Sequence, residues 1–143
     1  MELDFALLAD SVSVNPADGK LTIVGAGIDT VVAPAVPAQH GRIMVVVRAL
    51  VSSEEAEHPH RLDVVLRSDD GTELGSGYAD VVPVPEQVRA ASPVGLRTGL
   101  GMVLTLDSIV FPAHGAYQFI LRWDGDEVRA LQLAVVEPPP APA

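Results

Sequence analysis

The chain predicts an all-β fold, an antiparallel β-sandwich of about seven to eight short strands with little helix, with a closed β-barrel as the alternative. Three observations predict it. Tyr117, Phe119, Leu121 and Trp123 recur at every second position with Gln118 and Arg122 between them, the period of a strand with one buried face. Comparable runs recur along the chain, parted by turns rich in Gly, Pro, Asn and Asp, at the spacing of sandwich strands. Only Glu86–Ala91 leaves room for a turn or two of helix.

Taken in order, Leu3, Phe5 and Leu7 alternate with Glu2, Asp4 and Ala6 and predict a first strand, continued by Val12 and Val14. Asn15-Pro16-Ala17-Asp18-Gly19 supplies the next turn. A second strand is expected over residues 20–28, where Gly25 and Gly27 mark a bulge or a close backbone approach, and Pro34 and Pro37 end it. Residues 43–47, Ile-Met-Val-Val-Val, are apolar throughout. Such a strand is covered on both faces, so it is placed centrally or beneath a loop. Residues 52–59 are polar and acidic and read as an exposed loop. Leu62, Val64 and Leu66 then alternate with Asp63 and Arg67, and Asp69-Asp70-Gly71 turns that strand into a partner over residues 73–80.

Between residues 82 and 99 the pattern lapses, because Pro83, Pro85 and Pro93 interrupt any ladder. Met102, Leu104 and Leu106 restore it. In the last hairpin Asp124-Gly125-Asp126 is a tight turn, followed by Leu131, Leu133 and Val135. Val128 falls on the opposite parity and predicts a one-residue bulge. Residues 1–137 are expected to form a single sandwich domain, and residues 138–143 an extended, mobile Pro-rich tail.

The 143 residues are long enough for an ordinary core. The chain is 48% hydrophobic but 4% aromatic, so that core must be mostly aliphatic. A formal net charge of −10 disfavours phosphate backbones and anionic lipid, so neither nucleic acid nor a membrane surface is an expected partner. Cysteine is absent, which removes disulfides, thiolate metal sites and thiol catalysis. Met1-Glu2-Leu3-Asp4 is acidic where a signal peptide is basic, and the expected location is the cytoplasm. A single lysine beside eight arginines, with much Ala, Val, Gly and Pro, reads as a GC-rich bacterial coding bias.

The segment from Asp4 to Asp10 (Asp-Phe-Ala-Leu-Leu-Ala-Asp), Gly19-Lys20-Leu21 and Gly25-Ala26-Gly27-Ile28-Asp29 resemble the opening of a family of short uncharacterised bacterial all-β proteins of the high-GC, actinobacterial type. Phe111-Pro112, Gly115, Tyr117, Phe119 and Asp124-Gly125 are similar to the way that family closes. The resemblance implies a bacterial β domain and supplies no activity, cofactor or site residue.

The chemistry-bearing motifs are few. Gly25-Ala26-Gly27 opens a possible dinucleotide loop, but Thr30 stands at the third glycine and Pro34 follows where a helix must start. His58-Pro59-His60, beside Glu54, Glu55 and Glu57, is the weak candidate for a metal site, with His40 and His114 as distant ligands. A solvated acidic loop explains it better. Gly75-Ser76-Gly77 lacks the helix that a nucleophile elbow needs. Asp69-Asp70-Gly71 and Asp124-Gly125-Asp126 are turns before they are calcium ligands. Asp4, Asp10 and Asp29 are paired-carboxylate candidates for acid–base work, better read as charges that protect sheet edges. Pro139 to Pro142 is a P-x-x-P that an aromatic groove would accept. No catalytic residue and no cofactor are assigned.

The sequence does not determine a function. Its leading reading is a non-enzymatic structural or protein-interaction module, with self-association through an apolar face supplied by residues 43–47. The alternative is a small-molecule-binding or metal-dependent enzyme whose site lies in the loops around His58, His60 and the stretch from Val82 to Gly99.

Overall fold

The computed structural model describes residues 1–91, 93 and 95–142. Its ten strands are β1 (Glu2–Ala9), β2 (Ser11–Val14), β3 (Leu21–Val24), β4 (Thr30–Val32), β5 (Ala38–Val51), β6 (His60–Ser68), β7 (Glu73–Val81), β8 (Thr98–Phe111), β9 (Gly115–Trp123) and β10 (Asp126–Val136), with one short helix, α1 (Glu86–Ala91). The count exceeds the expected seven to eight because one run divides and the short strand β4 was not expected. The chain bends at Asp10, so Val12 and Val14 form β2 and do not continue β1. The run expected over residues 20–28 stops at Val24. Gly25 and Gly27 take positive φ, +64° and +81°, and turn the chain away. The backbone approach at Gly25 is close: a Cβ there would lie 2.0 Å from Asp10 Oδ2.

The strands form two sheets and a hairpin. One sheet has the order β1-β5-β8, the other β4-β10-β9-β6-β7, and β2 pairs only with β3. Every ladder is antiparallel except the edge pair β4–β10, which is parallel. The inward faces of the two sheets meet in one hydrophobic cluster that includes Leu8, Val45, Val47, Leu104, Leu62, Leu66, Phe119, Leu121 and Leu133. The fold is therefore all-β with two facing sheets, and among the described residues no ladder joins them into a closed barrel.

The central position expected of residues 43–47 is observed, since β5 lies between β1 and β8. Val45 and Val47 face the core, while Val46 faces the other way and is equally inaccessible. The β2–β3 hairpin covers that outer face. Leu21 of β3 packs over Gly101 of β8, where a Cβ would sit 3.5 Å from Leu21 Cδ1. The hairpin's turn is held by Asn15 and Asp18, whose carboxamide and carboxylate oxygens accept the N–H groups of Ala17 and Lys20. Ile43, Val45, Val46 and Val47 all have 0% exposure, so the expected apolar contact face at 43–47 does not exist. Each such side chain contributes about 1.5–3 kcal/mol as core instead.

In the last hairpin Tyr117, Phe119, Leu121 and Trp123 all point inward and are buried. Asp124 and Gly125 take φ of +49° and +91°, as a tight β-turn of primed type requires. The ladder slips between Glu127 and Arg129, the expected bulge, and the slip lets Val128 turn onto the core. Residues 52–59 are less free than expected. A 3-10 turn at Glu55–Glu57 buries Ala56, whose carbonyl accepts the N–H of Val84 at 2.8 Å. No helix among the described residues is long and apolar enough to cross a membrane.

Candidate functional site

Ionisable groups converge where the 52–58 turn meets the start of β6 and the β9–β10 turn. Ser52 and Glu55 cap each other: the Ser52 N–H donates to Glu55 Oε2 at 2.8 Å, and the Glu55 N–H donates to Ser52 Oγ at 3.1 Å. That is the reciprocal S-x-x-E arrangement that opens a short helical turn, here the one at Glu55–Glu57. Glu55 Oε1 accepts the Met1 ammonium. The ammonium first, then the Ser52 N–H, holds the Glu55 carboxyl down at about 2.

His60 opens β6 and is largely enclosed, with 12% of its side chain exposed. Its Nε2 donates to the Glu55 carbonyl at 2.7 Å and its Nδ1 to Asp124 Oδ2 at 2.7 Å. Neither acceptor has a proton to give, so both contacts are satisfied together when the ring is protonated at both nitrogens. Burial opposes that charge, but the Asp124 hydrogen bond and the Glu55 carbonyl outweigh it and raise the pKa above 6.5. Burial likewise opposes the Asp124 carboxylate. The bonds from His60 and from the Arg61 N–H, at 2.9 Å, reverse that effect and lower its pKa.

This cluster has the members of a catalytic dyad but not its free atom. A general base or a metal ligand needs a lone pair on nitrogen, and both His60 nitrogens are spent on oxygens. His58 is exposed. His40 stands on β5 opposite Ile109, and His114 donates from Nε2 to the Ala33 carbonyl at 2.8 Å. The four histidines do not converge, and among the described residues no group of three or more His, Asp or Glu is placed to hold a metal.

The remaining candidates also separate. Asp4 sits at a register slip of the edge strand β1 and pairs with Arg48, Asp10 occupies the bend after β1, and Asp29 precedes the edge strand β4. None of the three is buried. Asp70 accepts from Ser68 and Thr72 within its own turn, which lowers its carboxyl to about 2.

A second feature has no sequence motif. Of the buried apolar side chains, Ala9, Val46, Val65 and Ile120 stand outside the core cluster, on the outer faces of the sheets. The β2–β3 hairpin covers the outer face at Val46. Val65 (7% exposed) and Ile120 (2% exposed) lie on the outer face of the other sheet, away from the core cluster. The register of β7, β6, β9 and β10 arranges that face in rows: Tyr78, Asp63, Arg122 and Glu127; then Ser76, Val65, Ile120 and Ala130; then Glu73, Arg67, Gln118 and Gln132. Tyr78 is 62% exposed, and the Arg61 guanidinium lies 4.3 Å from its ring centre while pairing with Asp80. Val65, Tyr78 and Arg122 share a shallow depression of about 380 Å³. Alternation in β6 and β9 signals such a face only as polar residues between apolar ones, and Val65 and Ile120 break that alternation; the break was the available signal.

Residues 4–136 match a family described as a family of unknown function (DUF6941). Neither the curated proteins nor the solved structures gave a match.

Proposed function

We infer, for a chain that belongs to DUF6941, that it is a non-enzymatic interaction module and that the outer face of its five-stranded sheet is what it presents to a protein partner. One observation carries this reading: on the outer face of this sheet Tyr78 stands 62% exposed beside the aliphatic pair Val65 and Ile120, which belongs to no part of the core cluster. The surrounding Tyr78, Arg67, Arg122, Gln118 and Gln132 give the face an apolar centre and a polar rim that includes tyrosine and arginine, the composition typical of protein interfaces. The His60 cluster supports the same conclusion by elimination, since its atoms are committed to holding the fold.

The test is arginine-specific covalent labelling in host extract against purified, dilute protein, read by mass spectrometry. Protection of Arg67 and Arg122 in extract, with Arg42 and Arg97 labelled equally in both, is the expected result. Equal labelling at all four positions refutes the reading.

A ligand-binding reading draws on a different observation. Two adjoining depressions, of about 580 and 470 Å³, meet at Gly99 and Gly101 beneath the tip of the β2–β3 hairpin. One reaches Phe5 and Arg48 and the other Val82 and Pro85, within the stretch where the sequence placed its alternative site. Arg48 is already paired with Asp4 and Lys20 with Asp18, so the depressions offer no uncommitted charge to a ligand. Equilibrium dialysis against a panel of small apolar acids tests it, and no retention would dispose of it.

A further inference from the structure

We propose that His60 is a pH-operated latch on the arm of residues 82–91, which follows β7. Loss of one ring proton opens its bond to the 52–58 turn, and the arm held by that turn is released while the two sheets stay closed.

The geometry of the ring carries this. An imidazole has two N–H groups only when it is charged. Each nitrogen of His60 lies 2.7 Å from an oxygen, Nδ1 from Asp124 Oδ2 and Nε2 from the Glu55 carbonyl. A neutral ring serves only one of them, and the other contact then sets a lone pair against an oxygen. The proton stays on Nδ1 for two reasons. A carboxylate is a stronger acceptor than a carbonyl. Asp124 is also the fixed partner: its second oxygen accepts the Arg61 N–H and its own N–H donates to the Arg61 carbonyl, both at 2.9 Å. The bond that opens is therefore the one to Glu55, which begins a 3-10 turn of three residues.

That turn holds the arm. The Ala56 carbonyl accepts the Val84 N–H at 2.8 Å, and Glu57 pairs with Arg89 of α1. Arg89 donates from Nε to the Val84 carbonyl at 3.0 Å, which ties the two attachments together. Val84 packs against the core cluster and Ala56 is 2% exposed, so release uncovers both. Val82, Val84 and Pro85 also line the depression of about 470 Å³ beside Gly99, which widens as the arm leaves.

Few charged groups act on the ring. From the turn side they are Glu55 and the Met1 ammonium bound to it, and from the β9–β10 turn Asp124. Along β6 the next residue is Arg61, already paired with Asp80. Burial opposes the charge on the ring, Asp124 and the Glu55 carbonyl outweigh it, and the ring titrates above the ordinary 6.5.

Nuclear magnetic resonance on the full chain, titrated from pH 6.5 upward, tests the latch. The nitrogen shifts of the imidazole should show Nε2 losing its proton while Nδ1 keeps one. Over the same titration the Val84 amide, corrected for intrinsic exchange rate, should lose protection by about tenfold, the lower end of what one hydrogen bond to a charged group represents. The Asp124 amide is the internal reference and should not change. H60Q, which cannot titrate, should show no step, with circular dichroism checking its fold. In D124N the ring loses its carboxylate, so the step should move to lower pH. Asparagine tolerates the positive φ of that position, +49°, so the turn is kept and this variant decides if H60Q does not fold.

A proton that stays on Nε2 overturns the proposal, as does a Val84 amide that keeps its protection while the ring titrates. An equal fall at Val84 and Asp124 means that the whole domain opens, and there is no latch. A step that persists in H60Q, or that stays at the same pH in D124N, belongs to another group and overturns it too.

Discussion

The imidazole of His60 stacks on the indole of Trp123, ring centroids 4.9 Å apart and planes 28° from parallel. Trp123 stands opposite Leu62 in the ladder, two residues along β6 from His60, and Asp124, the next residue after Trp123, accepts the hydrogen bond from His60 Nδ1. One histidine thus ties three segments: the 52–58 turn through the Glu55 carbonyl, the β9–β10 turn through Asp124, and the core through Trp123. Its charge is part of that fastening.

The pH dependence follows from the directions of the shifts. The folded pKa of His60 lies above its ordinary 6.5, so its contribution is complete below pH 6.5 and is lost as pH rises through the folded value. Asp124 lies below its ordinary 3.8, so its contribution is complete above that value and is lost as pH falls. The link is strongest between those limits. Thermal melts of wild type should fall in Tm as pH rises from 6.5 toward 8.5. H60Q, which cannot titrate, should start lower and stay flat over that range. A flat wild-type profile would show that the imidazolium does not matter to stability.

Glu55 predicts an acid limb. Its carboxyl is held at about 2 against an ordinary 4.5, so the stability it provides is present above 4.5 and drains away as pH falls toward 2. About a third of the side chain is exposed (35%), and solvent screening reduces the effect. Glu55→Gln is expected to cost about 1 kcal/mol at pH 7, measured by urea denaturation, and to bring the variant and wild type together near pH 2.

Much of the framework was legible because a strand's period survives in its residues. The alternation of Tyr117, Phe119, Leu121 and Trp123, the unbroken apolar run at 43–47, and the parity slip at Val128 each led to the observed element. What was not legible depends on partners distant in sequence. β4 is three residues long and joins the sheet only by lying parallel to β10, and nothing local announces it. Val12 and Val14 alternate equally well as a continuation of β1 and as a separate hairpin strand, and the bend at Asp10 decides between them. His60 was visible as a residue type, but its acceptors, Glu55 O and Asp124 Oδ2, come from opposite ends of the polypeptide segment it spans. The Ser52-x-x-Glu55 signature was the one local sign that this loop is anchored.

Phe119 and Ile120 are adjacent on β9 and almost equally inaccessible, at 0% and 2% exposure, yet only Phe119 belongs to the core between the sheets. Phe119→Ala removes a ring from an enclosed cluster and should cost about 3–5 kcal/mol in denaturant unfolding at low protein concentration. Ile120→Ala lies under neighbouring side chains that are free to settle, so it should cost roughly half as much, near the lower end of about 2–5 kcal/mol for such truncations. Equal losses at the two positions would mean that the outer face is packed as tightly as the core.

The contact of Leu21 with Gly101 predicts how the hairpin is seated. A Cβ at Gly101 would lie 3.5 Å from Leu21 Cδ1, an ordinary van der Waals distance, and Gly101 does not have positive φ. Gly101→Ala should therefore be accepted, with a change in stability within about 0.5 kcal/mol, because relief of the glycine's chain entropy offsets a small adjustment of Leu21. Gly101→Leu needs space that Leu21 occupies, so it should lift the β2–β3 hairpin from the sheet and uncover Val46. That overpacking is expected to cost about 1–3 kcal/mol, and limited proteolysis should begin within residues 11–24 while the core strands remain intact. If the leucine variant resists protease as wild type does, the hairpin is held by something other than this contact, and the turn at Asn15 and Asp18 becomes the place to look.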